Sequence, residues 1–406
     1  MSREPASSWA PAPTPGSIIE SERVVNWLRE RTAAVLMGAA VGDALGGATE
    51  GFTPAVIEER YGGRVEGIVP PFYPDWQTRR PISPYHKGDG HVTDDTLMTQ
   101  ALVQVYAKRR RHLDAYDVDA DLVPLIMEQV RWIPELERET VLLQRIFLAE
   151  KWLVLRLRYG HIDPREAGVG NTVNCGATMY MTPVGIVNAG DPAAAYAEAI
   201  DLAGAHQSSY GREAAGVFAA AVAAALTPGA DVEDVIAAAI GVAHDGTRTA
   251  IEAVVAAARA NAGASPQELQ AALRDAVIPF DTVGPVYREP DADARRPSRT
   301  KAIEELPIAL GFLVAHRGDY RASVLAAVNY GRDSDSIATM AGGIAAALGG
   351  IDAIPRAWVD GVAEGSRIDF DHYAQLLADA AEQIIADDRE RANARLARLD
   401  LLAGAA

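Results

Sequence analysis

Most of the chain consists of alanine-rich segments in which apolar residues recur with helical spacing, and this pattern constrains the fold more than any other feature. Apolar residues at i, i+3, i+4 and i+7 predict α-helices, and alanine has the highest helix propensity. The pattern holds over residues 24–48, 96–111, 192–205, 212–226, 232–243, 247–262, 266–277, 320–329, 336–348 and 370–401. The one strand candidate, at 65–70, is short and isolated. We therefore expect an all-α fold.

The pattern also predicts how the 406 residues are organised. Because neither a fixed-period repeat nor a break in composition divides the helical part, we expect a single compact domain over 23–401 rather than a solenoid. Residues 1–22 begin with a proline-rich stretch without an apolar signal-peptide core, and we expect a disordered lead-in. Residues 109–165 are more charged and have larger side chains. They predict a helical insertion, either a peripheral helix pair or a lid or dimer contact.

Composition excludes several classes of function. The formal net charge of −17 argues against binding to a nucleic-acid backbone, which requires a basic face. A single cysteine excludes a disulfide framework and a zinc site with several thiolates. No run of 18 uncharged apolar residues predicts a membrane span. We expect a cytoplasmic protein with carboxylates available for hard cations.

The first of three carboxylate clusters lies within a glycine stripe. Gly38, Gly42 and Gly46 recur every four residues, at a cost of roughly 1 kcal/mol of helix propensity each. The missing side chains indicate a close approach of backbone or ligand. Asp43 lies inside this apolar segment, and Glu50 follows two helical turns later, on nearly the same face if the helix persists that far. A buried aspartate is costly unless it is paired or binds a metal.

The second and third clusters each precede a predicted helix. Residues 93–96 read Thr-Asp-Asp-Thr, and residues 333–336 read Asp-Ser-Asp-Ser. Helix N-capping alone accounts for one residue of each run, but both runs hold more than a cap needs. The oxygen donors suit Mg²⁺, Mn²⁺ or Ca²⁺ rather than a structural zinc. So many carboxylates would repel one another unless cations lay between them, and two divalent ions can hold a substrate and activate a water.

Taken together, these motifs resemble the ADP-ribosylglycohydrolases, a family that includes the glycohydrolase that reactivates dinitrogenase reductase. The resemblance spans about residues 32–350 and rests on Gly-Asp-x-x-Gly-x-x-x-Glu at 42–50 and the two clusters above. It implies a mostly orthogonal all-α domain with two Mg²⁺, for which Mn²⁺ often substitutes. The implied metal ligands are Thr93, Asp94, Asp95, Asp333, Asp335 and Ser336, where Ser336 replaces the usual Thr. Glu50 and Asp95 are the implied catalytic residues, Glu50 as ligand or base, and Asp43 is expected just behind the metals.

Residues 174–185 resemble the substrate loop of the family, which typically reads Gly-Asn-Gly-Ala-x-Met-Arg-x-x-Pro-x-Gly. The resemblance implies that Asn174, Cys175, Gly176 and Tyr180 contact the substrate. Cys175 stands at the family's Asn position and Tyr180 at its Arg position. His206 resembles the family's Thr-His segment, so it is either structural or close to the ribose or leaving group.

The family chemistry implied by the resemblance is hydrolysis at ribose C1″ through an oxocarbenium-like transition state. The expected partner is an ADP-ribosylated protein or small ribosylated molecule, with neither nucleic acid nor membrane. The departures in the substrate loop also allow a smaller, nucleoside-like ribosyl compound. A non-catalytic ADP-ribose-binding or structural protein and a Mg²⁺-dependent phosphohydrolase remain alternatives, and the oligomeric state is open.

Overall fold

The computed structural model describes residues 15–79, 86–280 and 303–404, with side chains from residue 26 onward. The fold is all-α, as expected, and the described residues include two short strands, β1 (Val130–Ile133) and β2 (Arg138–Val141). The helices are α1 (Pro15–Gly46), α2 (Pro54–Tyr61), α3 (Trp76–Arg79), α4 (Asp94–Arg109), α5 (Ala115–Asp117), α6 (Val123–Glu128), α7 (Leu148–Val154), α8 (Thr182–Val187), α9 (Pro192–Gly204), α10 (Ser209–Ala225), α11 (Val232–Val242), α12 (Asp245–Ala260), α13 (Pro266–Val277), α14 (Glu305–Ala315), α15 (Tyr320–Tyr330), α16 (Ser334–Gly349), α17 (Arg356–Ser366) and α18 (Phe370–Gly404).

The N-terminal end of the described chain is helical. Helix α1 begins at Pro15, so residues 15–22 of the expected lead-in belong to a helix. Residues 1–14 of that lead-in lie outside the described residues. Among the described residues, no helix is both long and apolar enough to cross a membrane.

The 109–165 segment is only partly helical. Between α6 and α7, β1 and β2 form an antiparallel hairpin in which Val130 lies opposite Val141. The hairpin was not predicted, because four residues in each strand are too few to show a two-residue periodicity. Ile133, Leu142 and Ile146 are fully buried and pack into the hydrophobic core, which anchors the segment to the rest of the fold. The segment therefore has a fixed position, from which residues 145–150 reach the site described below.

The glycine stripe of α1 permits direct backbone contact with α16. A Cβ atom at Gly42 would lie 2.1 Å from the carbonyl oxygen of Ala338, and one at Gly46 would lie 2.4 Å from that of Ser334. The close approach inferred from the sequence is therefore between two helix backbones. Because α1 carries Asp43 and α16 carries Asp335, this packing brings two of the three carboxylate clusters together.

Replacing Gly42 with alanine is expected to destabilise the protein by about 1–3 kcal/mol, because overpacking forces the two backbones apart. The matched control is Gly241→Ala in α11, where a Cβ atom meets nothing within 4 Å. Alanine there should be neutral or stabilising by up to about 1 kcal/mol. Urea unfolding of both variants measures the difference, and equal stability of the two would contradict direct backbone contact.

Candidate metal and substrate site

Two of the carboxylate clusters lie at the starts of helices. The first is divided, because α1 ends at Gly46: Asp43 lies within α1, and Glu50 lies in the turn that follows. Thr93 is the N-cap of α4, and its Oγ1 accepts a hydrogen bond from the Asp95 amide at 3.3 Å. Asp333 occupies the N-cap position of α16, but its side chain makes no cap hydrogen bond. Capping therefore explains Thr93 and does not explain Asp333.

Backbone hydrogen bonds join the turn after α1 to the turn before α16. The Arg332 amide donates to the Phe52 carbonyl at 2.8 Å, and the Gly51 amide donates to the Arg332 carbonyl at 2.5 Å. Gly331 has a φ of +68°, and a Cβ there would lie 2.1 Å from the Phe52 oxygen, so only glycine fits. These contacts fix Glu50 beside the start of α16.

A cavity of about 290 Å³ collects most of the predicted site residues. The predicted residues that line it are Glu50, Asp94, Asp95, Asn174, Cys175, Gly176, Asp333, Asp335 and Ser336. The other lining residues, which were not predicted as site residues, are Phe147, Leu148, Glu150 and Met179. Four other predicted site residues do not line this cavity, namely Thr93, Asp43, Tyr180 and His206.

Asp43 lies directly behind the start of α4. Its carboxylate accepts hydrogen bonds from the Thr93 amide at 3.0 and 3.1 Å and from the Thr96 amide at 3.1 Å. The Thr96 hydroxyl also donates to it. Burial raises the pKa of Asp43 to about 6, against the opposing effect of the hydrogen bonds from Thr96 and Thr93. Asp43 therefore holds the N-terminus of α4, and with it Asp94 and Asp95.

Tyr180 and His206 form a buried pair behind the cavity wall. The Tyr180 hydroxyl donates to His206 Nδ1 at 3.0 Å, and His206 Nε2–H donates to the Ala149 carbonyl at 3.1 Å. Burial lowers the pKa of His206 to about 4, so the ring is neutral. His206 Nε2 lies 3.7 Å from Oε1 of Glu150, which does line the cavity. The pair is therefore connected to the site through Ala149 and Glu150 of α7.

The carboxylates are crowded and incompletely satisfied. One oxygen each of Glu50, Asp333 and Asp335 lies within 4.8 Å of the others. Asp95 Oδ2 and Asp335 Oδ1 are buried and have no hydrogen-bond partner within the described part of the chain. Burial, followed by repulsion from neighbouring carboxylates, raises the pKa of Asp95 and Asp335 well above the usual range. Hard oxygen donors with unused lone pairs fit divalent cations such as Mg²⁺.

Arg145 is a buried cation that the sequence analysis missed. It is completely buried, and its Nη1 lies 3.0 Å from Asp94 Oδ1. Its Nε hydrogen-bonds to Glu135, and its guanidinium lies 4.9 Å from the centre of the Phe147 ring. Burial raises the pKa of Asp94, and Arg145 opposes that rise. The 109–165 segment therefore holds the Asp94 carboxylate through a buried ion pair.

Glu150 is a second residue of this segment in the cavity. Its Oε2 accepts a hydrogen bond from the Phe147 amide at 3.2 Å. Burial, followed by repulsion from Asp94, raises the pKa of Glu150 to about 8. A Cβ atom at Gly176 would lie 2.2 Å from Glu150 Oε1, so a larger residue at position 176 would push the Glu150 carboxyl group out of its present position. The arrangement places a carboxyl group that is protonated at neutral pH beside the carboxyl groups of the candidate metal site.

Comparison with known proteins agrees with the geometry. The sequence model of the ADP-ribosylglycohydrolase family matches residues 26–393. A solved structure described as an "ADP-ribosylglycohydrolase-related protein complex" has a TM-score of 0.56 at 21% identity. The alignment covers 88% of this chain and 99% of that chain, and shows a shared fold. A search of curated proteins finds no significant match. Because the family match covers most of its length, the chain belongs to the ADP-ribosylglycohydrolase family.

Proposed function

We propose that the protein is a dinuclear Mg²⁺-dependent hydrolase that cleaves the glycosidic bond at ribose C1″ of an ADP-ribosylated protein or small molecule. Family membership supports a glycosyl hydrolase. The finer proposal rests on one observation, the unsatisfied buried oxygens of Asp95 and Asp335 in a cavity that Glu50 and Asp333 also line. The same oxygens would accept Mn²⁺.

The side chains that would hold the two ions are Glu50, Thr93, Asp94, Asp95, Asp333, Asp335 and Ser336. When bound, the ions supply positive charge that orients the ribose hydroxyls and lowers the pKa of the attacking water. In our proposal Glu50 takes a proton from the attacking water while the oxygen of that water forms the new bond to C1″. Asp95 orients the reacting groups, and Asp43 keeps α4 in place behind it.

Departure of the leaving group requires a proton when that group is an amine or an alcohol. Glu150 lines the cavity and belongs to neither of the candidate metal-binding groups found among the described residues. Because its pKa is raised to about 8, it is protonated at neutral pH. We therefore assign it as the general acid, which protonates the leaving nitrogen or oxygen as the bond to C1″ breaks.

Replacing Glu150 with glutamine is expected to reduce kcat by about 100-fold, the lower end of what general acid catalysis contributes. Wild-type kcat should fall at alkaline pH, because the acid must carry its proton and burial raises the pKa of Glu150, and the variant should lose this limb of the profile. A substrate whose leaving group departs without protonation should be cleaved equally by both. The exposed Glu166→Gln is the matched control. An unchanged pH profile in Glu150→Gln would contradict the assignment.

A smaller, nucleoside-like ribosyl compound is a second candidate substrate. The cavity volume of about 290 Å³ is at the lower limit of usual ligand pockets of about 300–1,000 Å³. Cys175 also occupies a lining position where the family typically has an amide. The small volume favours a compact ligand, and the thiol removes an amide that could hydrogen-bond to ADP-ribose.

Calorimetric titration of ADP-ribose into Mg²⁺-loaded and EDTA-treated protein tests the proposal. Binding that requires Mg²⁺, followed by turnover of an ADP-ribosylated substrate, is the expected result. Binding of Mg²⁺ and a nucleoside but not ADP-ribose would support the second candidate. Binding without turnover would indicate a non-catalytic protein, and phosphate release from a phosphoester would indicate a phosphohydrolase. Failure to bind Mg²⁺ would contradict both substrate proposals.

A further inference from the structure

Cys175, the only cysteine of the chain, is held at the cavity wall. It begins a 3₁₀ turn whose N-cap is Asn174, and the Asn174 side chain accepts a hydrogen bond from the Gly176 amide at 3.0 Å. The thiol is 4% exposed and lines the same cavity as the carboxylates. Its position is therefore set by the turn, and its sulfur faces the start of α16.

The sulfur lies at ligand spacing from two oxygens. Cys175 Sγ is 3.3 Å from Asp333 Oδ2 and 3.4 Å from Ser336 Oγ. A tetrahedral zinc ion with a Zn–S bond of about 2.3 Å and a Zn–O bond of about 2.1 Å separates sulfur from oxygen by about 3.6 Å. The observed spacings are within a few tenths of an ångström of that value. Small shifts would bring the donors to bonding distance around one ion.

A second carboxylate completes a three-donor group. Ligand atoms of Cys175, Glu305 and Asp333 all lie within 4.8 Å of one another. Glu305 comes from the first turn of α14 and is 1% exposed. Independently, the same cavity contains Asp335 Oδ1 and Asp95 Oδ2, two buried oxygens without a hydrogen-bond partner in the described ranges. Such oxygens indicate that the cavity takes a cation.

We propose that Cys175, Asp333 and Glu305 form a mixed sulfur and oxygen site for a borderline divalent ion, with Zn²⁺ as the favoured occupant. This inference extends the proposed function, because the site shares Asp333 with the proposed Mg²⁺ ligands. When the ion binds, the S–H bond of Cys175 breaks, an S–Zn bond forms and the proton is released to the buffer. No electron is transferred.

Two consequences follow from the shared ligand. Thiolate sulfur adds affinity for Zn²⁺ and almost none for Mg²⁺, which prefers oxygen ligands. Since Zn²⁺ and Mg²⁺ both use Asp333, Zn²⁺ should displace one Mg²⁺ and inhibit the enzyme. An amide at position 175, as the family typically has, would supply oxygen instead of sulfur and abolish this selectivity.

Titration with Co²⁺, a spectroscopic substitute for Zn²⁺, tests the proposal on the intact protein. We expect a thiolate-to-cobalt charge-transfer band in the near ultraviolet, which Zn²⁺ removes. Because the chain has one cysteine, the band in the unmodified protein would identify Cys175 without any variant. The band should be absent in Cys175→Ser, whose Zn²⁺ affinity should fall at least about tenfold while its Mg²⁺ affinity stays within about twofold.

Other outcomes separate this proposal from the proposed function. Absence of the band in the unmodified protein, or equal Zn²⁺ affinity of the unmodified protein and Cys175→Ser, would overturn the mixed site and leave the Mg²⁺ site untouched. Failure of both proteins to bind Mg²⁺ would overturn the proposed function, whatever the Co²⁺ spectrum shows. Glu305→Gln should weaken Zn²⁺ binding and keep the band. If Glu305→Gln retains full Zn²⁺ affinity, Glu305 is not a ligand.

Discussion

Replacing Asp335 with asparagine is expected to reduce turnover by more than about 1,000-fold, which corresponds to about 4 kcal/mol of lost transition-state stabilisation. The Asp335 carboxylate is buried, has an oxygen without a hydrogen-bond partner in the described structure, and shares a ligand group with Glu50 and Asp333. Asparagine keeps the shape and removes the charge. Steady-state kinetics with Mg²⁺ at saturation measures the effect.

The thermal stability of the same variant should depend less on metal than that of the unmodified protein. Removing one of several crowded carboxylates relieves repulsion, so the Tm of the metal-free protein should rise. The increase in Tm on addition of Mg²⁺ should shrink or disappear. Mg²⁺ raises the Tm because it binds only the folded state, and the variant should bind it less tightly. Asp352→Asn, at an exposed position, should change neither quantity. Full turnover in Asp335→Asn would contradict the metal assignment.

Replacing Arg145 with methionine is expected to destabilise the protein by about 3–5 kcal/mol, because removing one partner of a buried ion pair leaves uncompensated charge. Arg145 is completely buried between Asp94 and Glu135. Methionine fills much of the volume and supplies neither charge nor hydrogen bonds. Urea unfolding measures the loss of stability, and activity should fall with it because Asp94 loses its fixed orientation.

A double variant separates charge from packing at this position. Glu135→Gln alone should cost less than Arg145→Met, and the two changes together should cost less than the sum of the single effects, because the second removes a charge that the first left unpaired. Arg138→Met, at an exposed position in β2, is the matched control. A cost below about 1 kcal/mol for Arg145→Met would show that solvent reaches these carboxylates.

The sequence predicted the acidic half of the site because its residues stand in unusual local patterns. Residues 93–96 and 333–336 hold more oxygen donors than a helix start needs, and that excess is visible without a structure. Arg145 and Glu150 have no such signal. They lie in a charged stretch where any Arg or Glu has the appearance of a solvated surface residue, and only the packing of the β1–β2 hairpin turns them inward.

The glycine stripe shows a second limit of prediction from sequence. The sequence indicated that some group packs closely against Gly42, but residue spacing within one helix does not identify the packing partner. The packing partner is α16, which lies almost 300 residues later in the chain, so only the tertiary structure identifies it. Tyr180 and His206 illustrate the same point. Motif position predicted Tyr180 as a substrate contact and left His206 either structural or close to the ribose, and the structure shows that the two form a buried hydrogen-bonded pair next to α7.

The contact between α1 and α16 also sets the order in which the site can appear during synthesis. Thr49 and Ser334 bring their hydroxyl oxygens to 3.0 Å across a sequence separation of 285 residues. Contacts between residues so far apart in sequence form late, because closing a long loop costs conformational entropy before the contact can stabilise the fold. Until α16 leaves the ribosome, the glycine face of α1 has no partner. An N-terminal fragment that ends before Asp333 and α16 would therefore carry three of the five acidic residues of the proposed metal site beside an exposed glycine face of α1, a combination that favours aggregation and chaperone binding.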